Sequence, residues 1–237
     1  MGQGMSGTTP ASAPRRALVT GVSSGIGQAI ARTLLEAGWT VDGISRSAVD
    51  GLGDGFHNHR VDLADHPRVA ACLAELPVPD ALVHAAGLMH AAPLGELDPA
   101  AGARLWHLHV ATSELLAGTF APRMAAGGRI VLIGSRTSRG AAGRSQYVAT
   151  KAAMVGMARS WAAELAPRGI TVNVVAPGAT ETPMLLQPGR ASSPPKLPPM
   201  GRYIRPREVA DLVAYLLSPS AAAITGQELV ICGGASL

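Results

Sequence analysis

The stretch Thr20-Gly21-Val22-Ser23-Ser24-Gly25-Ile26-Gly27, TGVSSGIG, decides how the rest of the chain is read. It follows a short apolar run, RALVT at 16–20, and leads straight into IGQAIARTLLEA, whose apolar residues recur at helical spacing. A strand, a glycine turn and a helix are therefore expected in that order. Three glycines in seven residues let the backbone turn tightly and let a ligand approach it closely. The helix that follows presents unpaired N–H groups and the positive end of its dipole, and both favour a phosphate. A lone glycine triplet is weak evidence. One set between a strand and a helix, at the start of an alternating chain, is strong evidence. Gly21, Ser23, Ser24, Gly25, Ile26 and Gly27 are the residues expected against such a ligand.

Outward from this turn the chain keeps alternating. Strands are expected at 16–20, 40–45, 57–61, 81–86, 129–134, 171–176 and 228–231, and helices at about 26–37, 66–76, 99–124, 146–166 and 206–217. This predicts an α/β fold: one Rossmann-type doubly wound sheet of about seven parallel strands with helices on both faces. Residues 1–14 are small, polar and rich in Pro and Gly and read as a disordered tail, with one domain over 15–237. The run PMLLQPGRASSPPKLPP at 183–199 holds too much proline for a regular element, and the surrounding segment, 183–206, is expected to act as a substrate lid. The linker SAVDGLGDG at 47–55 is too short and glycine-rich for a helix between the second and third strands.

Composition narrows the classes. With 237 residues, 47% of them hydrophobic, the chain can bury one sizeable core. Its net charge of +4 is spread along the chain without a basic block, which argues against nucleic acid. No apolar run approaches the roughly 20 residues that span a bilayer, so no membrane partner is expected. Cys72 and Cys232 lie far apart and fit no metal spacing, so no metal is expected, and two free thiols point to a reducing cytoplasm.

Tyrosine is scarce, with three in the chain, yet one stands four residues before a lysine in Gln146-Tyr147-Val148-Ala149-Thr150-Lys151. On a helix those two positions share a face. Together with the G-x-x-x-G-x-G spacing, this pair resembles the short-chain dehydrogenase/reductase family. The resemblance runs from about residue 15 to 237, and its landmarks come in order: TGVSSGIG; Asp62-Leu63; HAAG at 84–87; Ser135; YVATK; NVVAPG at 173–178; and TGQELVICGG at 225–234. The four-residue Tyr–Lys separation resembles the main branch and its 3-oxoacyl-reductase-like members rather than the enoyl reductases.

The resemblance implies hydride transfer between a nicotinamide and a carbonyl or secondary alcohol. Tyr147 is then the general acid or base. A phenol near pKa 10 exchanges its proton poorly at neutrality. A cation about 4 Å away supplies about 4 kcal/mol at an effective dielectric of 20, and Lys151 is placed to provide it. Lys151 also bonds the nicotinamide ribose in this reading. Ser135 is expected to bond the substrate oxygen, with Ser138 as the alternative because the Ser135–Tyr147 separation of 12 residues is one short. The family's helix asparagine is replaced by His109, which is read as its substitute in a proton relay or as a packed core histidine; His84 is read as a structural donor. Asn173 is expected to buttress the site.

The cofactor is expected to be NADP(H) rather than NAD(H). An acidic residue usually stands where Ser45 does, and Arg46 follows, which suits a 2′-phosphate. Asp62 and Leu63 border the adenine, Ala85, Ala86 and Gly87 follow the fourth strand, and Pro177, Gly178, Thr180 and Thr182 line the nicotinamide side. Arg136, Arg139 and Arg144 crowd the approach to Tyr147 and make an anionic substrate a candidate beside a neutral one. A homo-oligomer, dimer or tetramer, is implied, with Met154, Met157 and Trp161 available either to it or to the chain's own sheet. Two rivals stand beside the carbonyl reductase reading: a 3-oxoacyl thioester reductase, and a nucleotide-binding sensor with decayed catalysis.

Overall fold

The computed structural model describes residues 14–186 and 194–237. The tail expected at 1–14 lies outside this description but for its last residue, as does part of the 183–206 lid.

Seven parallel strands form one sheet in the order β3-β2-β1-β4-β5-β6-β7: β1 (Arg16–Thr20), β2 (Thr40–Ser45), β3 (Phe56–Arg60), β4 (Ala81–His84), β5 (Arg129–Ile133), β6 (Thr171–Pro177) and β7 (Glu228–Ile231). The inner strands bury both faces, so they read as continuous apolar runs: every residue of RIVLI in β5 and TVNVVAP in β6 is buried. The edge strand β3, FHNHR, is half-exposed and polar. Successive residues go to opposite faces. Leu18, Leu82 and Ile130 join Phe120 and Met154 in one apolar layer. Val19, Val83 and Val131 join Ile30 and Val213 in the other.

Helix starts follow local chemistry. In α2 (His66–Glu75) Asp65 accepts from the Arg68 N–H, and in α3 (Pro99–Trp106) Asp98 accepts from Ala100 N–H. Each helix carries a proline in its first turn, where no N–H is needed. The helix expected over 99–124 is instead three pieces: α3, a π-helical turn at His107–Ala111, and α4 (Thr112–Phe120). The wider turn leaves carbonyls to satisfy. Thr112 Oγ1 donates to His107 O at 2.9 Å, and Ser113 Oγ donates to His109 O at 2.6 Å. Residues 46–55 are bends and turns with no helix, as the linker composition implies. Met154, on α5 (Ser145–Leu165), is fully buried against its own sheet and is not available to a partner.

Strand order reverses between β1 and β4, whose residues Thr20 and His84 lie in register. The chain leaves these neighbours in opposite directions, to α1 (Gly25–Glu36) and to the loop before α3, and a crevice opens at their C-terminal ends.

Candidate active site

The glycine turn forms the floor of that crevice. Gly21 has φ +75°, and a Cβ there would stand 2.8 Å from the backbone of Ala86. A Cβ on Gly27 would stand 2.3 Å from Gly21 O. Glycine at both positions is thus demanded by backbone lying against backbone. Ser24 caps α1 without a side-chain hydrogen bond, so the first amides of α1 stay available to an anion.

Above this floor lies a cleft of about 700 Å³, bordered by Ser23 to Gly27, by Ser45 and Arg46 at the tip of β2, and by Asp62 and Leu63. Ala85, Ala86, Gly87 and Thr182 line its inner end. Ile26, Ala85, Gly87 and Thr182 also line a second chamber of about 360 Å³, so the two are continuous. A glycine cradle, open helix amides and a long cleft ending in a second chamber fit a dinucleotide.

The loop after β4 is pinned by a chain of hydrogen bonds. Thr20 Oγ1 accepts from the Ala85 and Ala86 amides, each at 3.1 Å, so its own proton goes to His84 Nδ1 at 2.8 Å. His84 Nε2 then donates to Leu108 O in the π turn at 3.0 Å, the structural bond expected of it. Burial, with the Lys151 charge added, pushes the His84 pKa down to about 3, and the ring stays neutral.

Ser135, Tyr147, Lys151 and His109 all line the second chamber, beside Pro177, Gly178, Thr180 and Thr182. Tyr147 and Lys151 share one face of α5, with Lys151 Nζ 5.8 Å from the centre of the Tyr147 ring. Lys151 is 4% exposed and donates to Ile133 O at 2.8 Å. Burial pulls its pKa from 10.5 down to about 7. Ser135, at the end of β5, is bound by Thr137 through the Thr137 N–H at 3.2 Å and through the two hydroxyls at 2.9 Å. Ser138 is turned away and donates to Glu228 Oε1. Of the two candidate serines, Ser135 alone is on the chamber wall.

His109 has both ring nitrogens engaged. Thr150 Oγ1 donates to Tyr147 O at 2.8 Å, so it accepts from His109 Nδ1–H, also at 2.8 Å. The Leu88 N–H donates to His109 Nε2 at 3.1 Å. This network dictates one neutral tautomer. Burial, then the charge of Lys151 and the proximity of His84, hold the His109 pKa well below its usual value. Both ring nitrogens of His109 are thus taken up by protein partners.

Other expectations shift in detail. Asn173 does not reach the chamber wall; it clamps the approach to β7, donating to Ile224 O at 2.7 Å and accepting from the Gln227 N–H at 3.1 Å. Arg139 pairs with Glu228 at 3.5 Å and leaves Arg136 and Arg144 on the chamber wall. Thr137, Thr150 and Lys196 went unnoticed in the sequence. Thr150 sits inside YVATK, where spacing singled out only its neighbours.

The sequence matches a family described as enoyl-(acyl carrier protein) reductase over residues 21–236. The chain belongs to the short-chain dehydrogenase/reductase family. This short-chain dehydrogenase/reductase is 37% identical to 3-oxoacyl-[acyl-carrier-protein] reductase FabG of Vibrio harveyi, over 92% of the chain and 96% of the relative. It is 38% identical to cis-4-hydroxycyclohexanecarboxylate dehydrogenase of Sinomonas cyclohexanicum, over 94% and 96%. Among solved structures, a short chain dehydrogenase of Burkholderia cenocepacia in complex with NADP superposes with a TM-score of 0.86 at 32% identity, over 94% of this chain and 98% of that one. The chain is thus an oxidoreductase by family, with the single-domain Rossmann-like fold expected of it.

Proposed function

We propose that this short-chain dehydrogenase/reductase is an NADP(H)-dependent carbonyl reductase or alcohol dehydrogenase with Tyr147 as its general acid and base. The observation that carries this reading is that Ser135, Tyr147 and Lys151 line one chamber continuous with the glycine-floored cleft. When bound, the nicotinamide supplies or takes the hydride. The protein's part is orientation and the proton. Ser135 Oγ holds the substrate oxygen beside the phenol, and the Tyr147 hydroxyl delivers or removes the proton there. Lys151, brought to the phenol by the helix, favours its ionised form, and bonds the nicotinamide ribose. Gly21 to Gly27 and the first amides of α1 hold the pyrophosphate, Asp62 and Leu63 border the adenine, and Thr182 bonds the carboxamide. Assay of the purified protein with NADPH and NADH against ketones, aldehydes and 3-oxoacyl thioesters tests it; tight NADPH binding with no turnover on any of them would favour a sensor.

The NADP preference rests on the tip of β2. Ser45 turns its hydroxyl to Ser47 O at 2.8 Å, and exposed Arg46 borders the cleft. The acid on β2, Asp42, is engaged by Arg16 at 2.7 Å and His59 at 2.9 Å. A guanidinium following a small hydroxyl residue, with the carboxylate of β2 already paired, suits a 2′-phosphate. The NADP bound by the Burkholderia relative supports the same reading. Arg46→Gln should narrow the NADPH-over-NADH preference in kcat/KM by about tenfold, the worth of one charge-assisted contact; an unchanged ratio would refute the assignment.

His109 enters as a positioning residue. Through Thr150 it ties the backbone of Tyr147 to the loop at Leu88. His109→Ala should lower kcat by about ten- to a hundredfold, as small misplacements do, while leaving the shape of its pH profile intact. Adding Thr150→Val should cost little more, because both act in one chain. A pH profile altered by His109→Ala would restore the relay reading.

Two relatives frame the substrate. The FabG name supports a 3-oxoacyl thioester, and the Sinomonas name supports a hydroxy acid. A homo-oligomer goes with this family reading, and Trp106, 49% exposed on α3, is a large apolar side chain available to a partner copy.

A further inference from the structure

The substrate chamber carries charge of one sign. Arg136 and Arg144 stand half-buried on its wall, and exposed Lys196 stands at its rim. Among the described residues no Asp or Glu lines it. Arg136 is held in place by its bond to Ala235 O at 3.2 Å. The charged residues neighbour the reacting ones in the chain and line the same chamber: Arg136 directly follows Ser135, and Arg144 lies three residues before Tyr147, at the start of α5. The same chamber has an apolar lining that includes Leu88, Met89, Met184 and the Pro194–Pro195 pair. These cations are not the cofactor's. Its phosphates belong at the glycine turn, in the other chamber, whose lining includes neither Arg136, Arg144 nor Lys196.

We propose that the substrate is a small oxo or hydroxy acid with an apolar body, its anionic group held by Arg136, Arg144 and Lys196 while its carbonyl or hydroxyl meets Ser135 and Tyr147. The inference rests on the reading of this chamber as the hydride-transfer site and adds the substrate class to it. Low-polarity walls strengthen a charge pair relative to water, and guanidinium groups bind carboxylates in a matched two-point geometry. A small acid is favoured over a carrier-bound thioester by position. A phosphopantetheine arm sets its phosphate many bonds from the thioester, whereas Arg136 and Arg144 flank Ser135 and Tyr147 in the chain, and Lys196 lines the same chamber. The chamber, at 360 Å³, also has to admit the nicotinamide end, which leaves room for a small body only.

The probes are levulinate and oxocyclohexanecarboxylate, each beside its own neutral amide, and an acetoacetyl thioester on an acyl carrier protein. Binding to the protein–NADP complex is read by calorimetry, which does not depend on turnover, and kcat/KM is read with NADPH. The expected result is a preference for at least one acid over its amide of tenfold or more. That preference should shrink toward unity in Arg144→Gln and Lys196→Gln combined, and should fall as added salt screens the charges. Both substitutions are at exposed or half-exposed positions, and thermal melting checks that the fold survives. Equal binding of both acids and their amides, a preference that persists in the double variant, or a carrier thioester that outcompetes both acids would each overturn the proposal. Acid-selective binding with no turnover on any probe would count against the hydride-transfer reading and leave the anion site standing.

Discussion

Lys151→Met is expected to abolish turnover and yet to make the cofactor-free protein more stable at neutral and acidic pH. Lys151 is fully buried, and its pKa in the fold, about 7, lies below its ordinary value of 10.5. The unfolded chain therefore holds a proton more readily than the native one. Between pH 10.5 and 7 the unfolded state gains a proton that the fold resists, so stability falls as pH falls through that window. Below pH 7 both states are protonated and the whole penalty stands. A shift of about 3.5 units corresponds to about 5 kcal/mol at 1.36 kcal/mol per unit. Methionine removes that penalty but leaves Ile133 O without its 2.8 Å donor, which costs about 1–3 kcal/mol. The net gain is about 2–4 kcal/mol near pH 6 and reverses near pH 10, where the wild-type lysine is neutral in the fold. Urea unfolding without cofactor at both pH values reads the difference. A variant less stable at pH 6, or a difference that ignores pH, would show that Lys151 is better solvated than its surroundings imply.

Tyr147→Phe should lower kcat by about a thousandfold and leave NADPH affinity within a few-fold of wild type. The substitution keeps the ring, which is 7% exposed and meets His109 edge-on at 5.7 Å, and removes only the hydroxyl. General acid–base groups contribute about 10²–10⁴ to rate. Single-turnover measurement of nicotinamide absorbance separates this chemical step from binding. Retention of more than about a tenth of the wild-type rate would mean that another group passes the proton, and would move Tyr147 out of the general-acid role. The contrast with Lys151→Met is itself informative. Both variants lose turnover, but only the lysine change alters stability with pH, because burial resists the charge on Lys151.

The two largest effects thus stand on residues that four positions of helix bring together, and that much needed no tertiary structure. TGVSSGIG was legible because its demands are local: a tight turn, a backbone without Cβ atoms and a helix start all lie within eight residues. Inner strands such as β5 and β6 were legible because parallel strands buried on both faces are unbroken apolar runs, and the ends of all seven strands differ from expectation by at most two residues. The absent helix at 46–55 followed from length and glycine alone. The π turn did not. HLHVA has no local mark of a wider turn, and its freed carbonyls are satisfied by Thr112 and Ser113 from the next helix.

The sequence by itself determined the sheet, the glycine cradle, the shared face of Tyr147 and Lys151, and the family. Tertiary structure alone decided which side chains of the right type have the right surroundings. Ser135 rather than Ser138 faces the chamber because Glu228, 90 residues away, takes the Ser138 proton. Arg139 is drawn to the same glutamate, and Lys196 arrives at the chamber from a distant loop. Both ring nitrogens of His109 are engaged by groups distant in the chain, Leu88 and Thr150, 21 and 41 residues away. Periodicity and spacing set the face on which a side chain stands. Whether its polar atoms are free, and whether its charge is solvated, depends on groups that only the packing of β4, β5 and α5 brings within hydrogen-bond distance.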